Sequence, residues 1–323
     1  MMRIRRREFL TAAVPALLGA GGCALSKSAS QEKKSGRVLR FAHFTDIHME
    51  PKRKAPEGLA KALRHMQSLE DRPSLLITGG DHVMDAFSAK PDWVTVQYET
   101  FRTVMREHCV IPVRYCIGNH DVWGWNKKDS QTTGQEPYWG KERPIHEFNL
   151  PGRYYAFSEG CWHFIILDST HPSTDNYEAR LDEEQFQWLQ NQLQIHRHQY
   201  IVIVSHIPIL SAAVFLDGDN VKDGHWSLPK EWMHLDAGRL KDLFKEHRNV
   251  KLCISGHLHL VDRVEYNGVV YICDGAVCAS WWKGDYNEFD EGYGVFDLYE
   301  DGTFRHQYLS YGWTAAPDGE GGS

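Results

Sequence analysis

Five short groups of polar residues in this chain combine carboxylate, amide and imidazole side chains, which bind metal ions and move protons. Oxygen and imidazole donors of this kind suit divalent or trivalent ions such as iron, manganese or zinc. Two such ions held together would support hydrolysis of an ester. In chain order the groups are Asp46-Ile47-His48, Gly80-Asp81, Gly118-Asn119-His120-Asp121, Ser205-His206 and Gly256-His257-Leu258-His259.

The position of these groups carries more information than their composition. A short Asp-x-His or Gly-His-x-His motif occurs by chance in many proteins, and alone it more often marks a solvated aspartate or a core histidine. Here every group directly follows a short apolar segment that is typical of a strand. Open α/β sheets place their sites at the carboxyl ends of strands. We therefore expect the five groups to meet at one edge.

Strands and amphipathic segments alternate through most of the chain, which predicts an α/β fold. An aspartate at a helix N-terminus is a common cap, and Asp182 holds that position before the third predicted helix. The predicted helices cover residues 57–69, 93–108, 182–194 and 237–246.

The last part of the chain is predicted to consist mainly of strands. Two hairpin turns are predicted there, at Asn267-Gly268 and at Asp301-Gly302, because such pairs favour tight turns between antiparallel strands. The predicted strands of the whole chain cover residues 38–44, 74–80, 113–118, 163–168, 200–205, 250–255, 261–266, 269–274, 293–300 and 304–310.

Two long segments, residues 122–150 and 211–235, are rich in tryptophan and polar residues and only weakly periodic. Loops of this length in a compact domain are usually functional or disordered. We expect substrate choice to depend on them. Four aromatic residues of the first segment could roof the site or form a satellite core: Trp123, Trp125, Tyr138 and Trp139.

Composition excludes some functional classes. The chain has 323 residues, of which 42% are apolar, so it can bury a sizeable core. Its 43 acidic residues outnumber its 36 basic ones, the net charge is -7, and there is no long basic run outside the N-terminus. Duplex nucleic acid is therefore not an expected partner.

The N-terminal segment reads as an export signal in residues 1–23, with a basic start, a short apolar run and then small residues. Arg6 and Arg7 match the twin-arginine pattern, and Cys23 resembles the lipidated residue of a bacterial lipoprotein. The alternative is an ordinary signal peptide in which Cys23 is incidental. We expect a periplasmic protein or a membrane-anchored lipoprotein, with the membrane reached only through this signal or its lipid.

The rest of the chain divides into three predicted regions. Residues 24–37 are polar and form a flexible linker, residues 38–312 form the catalytic domain, and residues 313–323 form a mobile Gly-rich tail. The six cysteines after Cys23 include no Cys-x-x-Cys pair, which gives no support to a zinc knuckle. One or two disulfides remain possible in an oxidising compartment.

The ordered set of motifs resembles the calcineurin-like metallophosphoesterase superfamily over residues 38–310. The resemblance implies a four-layer α/β/β/α sandwich, in which two mixed β-sheets are flanked by helices and the metal site lies at the C-terminal strand edge. It also implies a dinuclear metal centre. By that resemblance, Asp46, His48 and His259 hold one metal, Asn119, His206 and His257 hold the other, and Asp81 bridges both.

A bridging carboxylate is what such chemistry needs. It allows two cations to lie about 3.5 to 4 Å apart, where they can share a hydroxide and bind two oxygens of one phosphate. That hydroxide would attack phosphorus in line, and the leaving alkoxide would need a proton. His120 could donate it, with Asp121 orienting the imidazole and favouring its charged form. The alternative is that His120 only packs.

Departures from the relatives narrow the expected activity. Purple acid phosphatases carry a tyrosine where this chain has Met84, and they lack the histidine that is His48 here. The pattern is closer to bacterial class III cyclic nucleotide and glycerophosphodiester phosphodiesterases. We therefore expect a small phosphate diester as substrate, with a phosphomonoesterase, a protein phosphatase or a metal-bound binding protein as alternatives. Oligomeric state is not predicted.

Three further histidines have no role in these motifs. His43 precedes the first motif on a strand and is expected to be a core residue or to support a ligand. His82 and His171 are expected either to line the pocket or to be solvated.

Overall fold

The computed structural model describes residues 36–174 and 176–315. Within them the helices are α1 (Ala55–Ser68), α2 (Pro91–His108), α3 (Lys127–Ser130), α4 (Glu142–Phe148), α5 (Glu183–Ile195) and α6 (Ala237–Glu246). The strands are β1 (Arg37–Phe44), β2 (Leu75–Thr78), β3 (Val113–Tyr115), β4 (Tyr155–Glu159), β5 (Trp162–Ile166), β6 (Thr170–Pro172), β7 (Tyr177–Ala179), β8 (Tyr200–Val204), β9 (Val221–Lys222), β10 (His225–Trp226), β11 (Val250–Ser255), β12 (Asp262–Tyr266), β13 (Val269–Cys273), β14 (Gly292–Tyr299) and β15 (Phe304–Ser310).

Two mixed sheets form the centre of the fold in the described residues. The first has the strand order β15-β14-β1-β2-β3, and the second has the order β12-β13-β11-β8-β5-β4. Strands β1, β2 and β3 run parallel, as do β5, β8, β11 and β13, while the remaining strands of each sheet pair antiparallel at the edges. Parallel strands point their carboxyl ends to the same side, and these strands include all those that precede the polar motifs.

Buried side chains divide into layers that match the predicted sandwich. One cluster packs α1 and α2 on the outer face of the first sheet. A second lies between the two sheets, where Phe41 of β1 meets Phe164 of β5 edge to face at 5.5 Å. A third packs α5 and α6 on the outer face of the second sheet. The α/β/β/α fold class is therefore confirmed.

Local sequence signals explain several boundaries. The Asp182 side chain accepts a hydrogen bond from the backbone N–H of Gln185 at 2.9 Å, which is the predicted N-cap of α5. Asn267 and Gly268 both have positive φ, at 54° and 80°, as the hairpin turn between β12 and β13 requires. Both local predictions are correct.

Predictions for the two ends of the chain and for its cysteines have different outcomes. The predicted export signal and nearly all of the predicted linker lie outside the described residues. Trp313, placed in the mobile tail, packs on Trp282 with ring centroids 5.9 Å apart, so the ordered core reaches past the predicted boundary at 312. The six described cysteines are free. No described helix has the length and apolar character needed to cross a bilayer.

Candidate metal centre

The seven predicted metal ligands lie on the loops that follow five parallel strands. Asp46 and His48 follow β1, Asp81 follows β2 and Asn119 follows β3 in the first sheet. In the second sheet, His206 follows β8, and His257 and His259 follow β11. The structure brings all seven side chains to one site, where they form two neighbouring groups.

The first group contains two imidazoles and one carboxylate. The Nε2 atoms of His48 and His259 are 3.1 Å apart, and Asp46 Oδ1 lies 3.5 Å from His259 Nε2 and 3.9 Å from His48 Nε2. These atoms all point into the same small space. Nitrogen and oxygen donors converging in this way are typical of a divalent transition-metal site.

The second group is centred on His206. Its Nε2 atom lies 3.1 Å from Asn119 Oδ1, 3.2 Å from His257 Nδ1 and 3.2 Å from Asp81 Oδ2. The same Asp81 oxygen lies 3.7 Å from His48 Nε2 in the first group. One carboxylate oxygen therefore reaches both groups, which is the position that a bridging ligand needs.

Hydrogen bonds to the backbone aim the imidazoles. His206 Nδ1 lies 2.8 Å from the Gly79 carbonyl oxygen, and His259 Nδ1 lies 2.5 Å from the Ala279 carbonyl oxygen. A carbonyl only accepts, so each Nδ1 carries a proton and each Nε2 is the atom that faces the site. This is how a metal-binding histidine is usually oriented.

Unpartnered atoms also fit a pair of bound cations. Asp46 Oδ1 is buried and has no hydrogen-bond partner among the described residues, although the other oxygen of this carboxylate accepts from Thr45 and from the His257 N–H. A buried carboxylate oxygen without a partner costs free energy unless a cation compensates it. The donor set and this oxygen thus fit a metal ion. Ligation itself stays a prediction.

Five of the seven predicted ligands have positive φ, a conformation that is uncommon outside glycine. The values range from 46° at His48 to 72° at His257. Such strain costs of the order of 1–3 kcal/mol per residue and concentrates at functional sites. The folded domain therefore holds these side chains in place against the local preference of the backbone. The five are Asp46, His48, Asp81, His257 and His259.

Two glycines of the motifs are required by close packing around the carboxylates. A Cβ atom on Gly118 would contact Asp81 Oδ1 and its backbone nitrogen, and a Cβ atom on Gly256 would contact Asp46 Oδ2 and the Thr45 hydroxyl. Any side chain at either position would displace a predicted ligand. The glycines of the motifs therefore serve the ligand geometry rather than a metal directly.

Protonation in the site suits cation binding. Burial lowers the pKa of His257 to about 3, with the charge of His206 acting in the same direction, and burial also lowers the pKa of His48. Burial alone would raise the pKa of Asp81, but His206 and His120 hold it well below its usual range. Two imidazoles are thus kept neutral and the central carboxylate ionised, as metal ligands must be. Against the effect of burial, Asp81 and Asp46 raise the pKa of His206 to about 9, and Asp46 raises that of His259, so a bound cation would displace a proton from each of these two ligands.

His120 lies at the mouth of the site, but its predicted orienting partner is wrong. Its Nδ1 atom contacts the Met84 carbonyl oxygen at 2.6 Å, and its Nε2 atom lies 4.0 Å from Asp81 Oδ2. The Asp121 carboxylate instead accepts from the backbone N–H groups of Asp81 and Gly118, at 3.0 and 2.9 Å. Asp121 therefore holds two ligand loops together and does not orient His120.

His82 is wrongly predicted as a pocket or solvated residue. It is fully buried, with Nδ1 at 2.9 Å from Asp121 Oδ2 and Nε2 at 2.6 Å from the Thr78 hydroxyl. His171 does not line the pocket either, and its Nδ1 lies 2.9 Å from the Pro172 carbonyl oxygen. His82 therefore supports the loop that follows β2, whereas His171 is partly exposed, as in the solvated alternative of the prediction.

His43 takes part in a buried network that sequence reasoning missed. Asp274 contacts His43 Nδ1 and His306 Nε2, both at 2.7 Å. Asp274 follows β13 in the second sheet, whereas the two histidines belong to β1 and β15 in the first. The network therefore joins the sheets behind the metal centre. Neither Asp274 nor His306 lies in a recognisable motif.

A cavity of about 230 Å³ opens at the predicted ligands. The four aromatic residues of loop 122–150 do not line it, and Trp123 belongs to a satellite core, which was the second of the two alternatives. Loop 211–235 does contribute, through Asp217 and Trp232. The other aromatic walls are Tyr177, Trp281 and Tyr286, which sequence reasoning missed.

Cys278 is a further residue that the motifs do not include. Its sulfur is close enough to ligand atoms of His48 and His259 to share a metal with them. Burial raises the pKa of this thiol well above its ordinary value, so it stays protonated and is a weaker ligand than a thiolate.

The family profile described as calcineurin-like phosphoesterase matches residues 39–261. The chain belongs to this family. The match begins in β1 and ends just after His259, so it includes every strand that carries a predicted ligand. The family is one of dinuclear metal-dependent enzymes, which agrees with the two groups of ligands described above.

Similar proteins in this family are named either as a protein phosphatase or as a cyclic nucleotide phosphodiesterase. Serine/threonine-protein phosphatase CPPED1 from Homo sapiens is 28% identical over 204 residues, which cover 62% of this chain and 57% of that protein. A probable cyclic nucleotide phosphodiesterase from Synechococcus is 25% identical over 276 residues, which cover 84% of this chain and 91% of that one. The matched region thus spans little more than half of the CPPED1 chain but nearly all of the Synechococcus protein.

Solved structures confirm the fold. A dimetal phosphatase from Danio rerio has a TM-score of 0.60 at 15% identity, and the match covers 85% of this chain and 97% of that chain. GAP50, described as the anchor in the inner membrane complex of Plasmodium, has a TM-score of 0.51 at 19% identity and covers 84% of each chain. At these identities the likeness concerns the architecture alone.

Proposed function

We propose that this calcineurin-like phosphoesterase hydrolyses a phosphate diester with two metal ions. The observation that carries the proposal is the position of Asp81 Oδ2, which lies 3.2 Å from His206 Nε2 and 3.7 Å from His48 Nε2. A single carboxylate oxygen between two groups of nitrogen and oxygen donors is suited to a metal pair. Bound there, the metals would supply Lewis acidity toward phosphate oxygens and an acidified water.

His120 is the residue of the chain that can supply a proton to the leaving group. The Met84 carbonyl holds the proton on Nδ1, so Nε2 faces the mouth of the site. About a third of the side chain is exposed, which allows contact with both substrate and solvent. When Nε2 is also protonated, the imidazolium can protonate a departing alkoxide, and the carbonyl stabilises its charge.

The lining of the cavity favours a diester over a monoester. Among the described residues that line it there is no lysine and no arginine. Recognition of a dianionic terminal phosphate usually relies on such groups. The similarity to the Synechococcus phosphodiesterase also extends over most of both chains.

A second candidate is phosphomonoester hydrolysis, including that of phosphoserine proteins. It is favoured by the 28% identity to CPPED1, which is named a serine/threonine-protein phosphatase. The two candidates differ in the charge of the substrate. Rates on bis(4-nitrophenyl) phosphate and 4-nitrophenyl phosphate therefore separate them.

The experiment uses the purified chain reconstituted separately with manganese, zinc and iron. We expect diester turnover above monoester turnover with at least one of the metals. Greater turnover of the monoester or of a phosphopeptide would instead support the second candidate. A metal-loaded preparation inactive on all these esters would indicate a binding protein without catalysis. Elemental analysis of the most active preparation would identify the metals.

We also propose export from a bacterial cell, supported by the twin arginines Arg6 and Arg7 and the following apolar run. Replacing both arginines with lysine should retain the protein in the cytoplasm. Replacing Cys23 with alanine should abolish palmitate labelling and release the protein from membranes. Recovery of the unmodified protein from the periplasm without palmitate label or membrane association would favour an ordinary signal peptide.

A further inference from the structure

One wall of the cavity beside the predicted ligands is built from aromatic rings and one carboxylate. Trp232 and Asp217 come from loop 211–235, and Trp281 and Tyr286 come from the segment between β13 and β14. The Tyr286 hydroxyl donates to Asp217 Oδ1 at 2.9 Å, which links the two segments. This wall is not explained by metal binding, because none of its residues is a predicted ligand.

Trp281 is held over the site by a strained loop. Its φ is 50° and that of Trp282 is 68°, and bulky residues rarely adopt such values. The Trp282 indole donates to the carbonyl oxygens of Ile47 and His48 at 3.0 and 3.2 Å, which fixes the loop behind a predicted ligand. Strain of this kind persists only where the surrounding structure enforces it and is concentrated at functional sites.

The Trp281 ring therefore forms a fixed face beside the predicted metal ligands. Its centroid lies 4.5 Å from that of His259 and 5.9 Å from that of His48. Tyr286 stands edge to face against Trp281 at 5.7 Å. The two rings meet at a steep angle and form a corner, and a cation is attracted to the face of an aromatic ring.

Asp217 adds a negative charge to this corner. In the described part of the chain no lysine, arginine or histidine forms a salt bridge with it, and its Oδ1 atom receives only neutral donors, from Tyr286 and from the Asn287 amide at 3.4 Å. The carboxylate is partly buried at the cavity wall. An unpaired carboxylate beside aromatic rings disfavours an anionic ester group and favours a cationic one.

The size of the cavity restricts the group that fits. Its volume of about 230 Å³ lies below the range of roughly 300–1,000 Å³ that is typical for drug-sized ligands. Two metal ions and a phosphate would occupy part of that space. A compact ester substituent is therefore a better fit than a nucleoside.

We propose that this wall, formed by Asp217, Trp232, Trp281 and Tyr286, binds a small alkylammonium group on one ester arm of the phosphate diester. The inference rests on the proposed phosphodiesterase function and specifies its substrate class. The ammonium group contacts the faces of the tryptophans and the charge of Asp217, while the phosphate lies at the predicted ligands. Esters of an amino alcohol or of its quaternary form are the corresponding substrates.

The test compares two substrates that differ only in charge. 4-Nitrophenyl phosphorylcholine carries a quaternary ammonium group, and 4-nitrophenyl 3,3-dimethylbutyl phosphate replaces its nitrogen with carbon. Both release the same nitrophenolate from the full chain reconstituted with the most active metal. We expect kcat/KM for the ammonium ester to exceed that for the carbon isostere about tenfold, the ratio that corresponds to about 1.4 kcal/mol.

Variants test whether the wall residues cause this preference for the ammonium ester. Asp217→Asn should bring the ratio of the two kcat/KM values close to one, mainly through KM for the ammonium ester. Asp219→Asn removes the same charge from an exposed position on the same loop, outside the cavity lining, and should keep the ratio. Trp281→Leu should lower kcat/KM more for the ammonium ester than for the isostere. Choline chloride should inhibit the unmodified enzyme more strongly than 3,3-dimethylbutanol does. This comparison requires no variant.

The outcomes separate this inference from the proposed function. Equal kcat/KM values for the two diesters, or equal inhibition by choline and its isostere, would overturn the ammonium site while leaving the phosphodiesterase intact. A ratio that survives Asp217→Asn would remove Asp217 from the recognition. No turnover of either diester or of bis(4-nitrophenyl) phosphate would reject the phosphodiesterase function itself.

Discussion

The Nδ1 atom of His120 lies 2.6 Å from the carbonyl oxygen of Met84, so a backbone carbonyl and not the Asp121 carboxylate orients this imidazole. The neighbouring Asp121 points away and binds backbone N–H groups of the ligand loops. Two residues that are adjacent in the motif therefore have different tasks. His120 faces the substrate, and Asp121 holds the site together.

Replacing His120 with alanine should slow turnover without removing metal. We expect a loss of about 10² to 10⁴ in kcat for an alkyl leaving group, which needs a proton, and a much smaller loss for nitrophenolate, which does not. Metal content is measured by elemental analysis, and rates are compared across leaving groups of different basicity. An equal loss for all leaving groups would contradict the role of His120 as an acid.

Replacing Asp121 with asparagine should show the opposite pattern. The carboxylate accepts from the backbone of Asp81, His82 and Gly118, and an amide nitrogen would face one of these donors. Leaving a buried donor unpaired costs about 1–3 kcal/mol, so we expect a lower midpoint of thermal unfolding and weaker metal retention. Unchanged stability together with a leaving-group effect would return Asp121 to the role first predicted for it.

Replacing Asp274 with asparagine should loosen the contact between the two sheets. Its carboxylate contacts His43 and His306 in a fully buried position, and breaking such a pair costs about 3–5 kcal/mol. Denaturant unfolding measures the loss. Asp219→Asn, at an exposed carboxylate of loop 211–235, serves as the control and should have little effect.

The same carboxylate predicts how stability depends on pH. Burial alone would raise the pKa of Asp274, but His306 and His43 lower it to about 2. Because the pKa is depressed in the folded state, its contribution is present above the unfolded value near 3.8 and is lost as the pH falls from there toward 2. The free energy of unfolding of the Asp274 variant should therefore fall less steeply over this interval. A parallel decline in both proteins would contradict this contribution.

The sequence predicted which seven residues converge at the site, because these residues are marked locally. Each follows an apolar strand, and strand direction then determines where it lies. Asp274 and His306 could not be found in this way, since each stands alone and their partnership depends on how the two sheets pack. Trp281 could not be predicted as a residue of the site either, because its position depends on a strained turn and not on a motif.

The orientation of the Asp121 side chain could not be predicted from the sequence either. Adjacent residues in a loop need not contact each other, and the direction of Asp121 is set by backbone donors from a separate loop after β2. Composition alone could not decide whether the aromatic residues of loop 122–150 roof the cavity or form a satellite core. The tryptophans pack beneath that loop or against its own residues, as large aromatic side chains often do.

The proposed function requires that Asp81 bridges two metal ions. Anomalous diffraction from a crystal of the reconstituted protein, together with the metal content of the Asp81→Asn variant, measures whether it does. We expect two anomalous peaks roughly 3.5 to 4 Å apart on either side of the Asp81 carboxylate, and reduced occupancy of both metals in the variant. A single peak, or a variant that retains both metals at full occupancy, would show that Asp81 does not bridge a pair of metal ions.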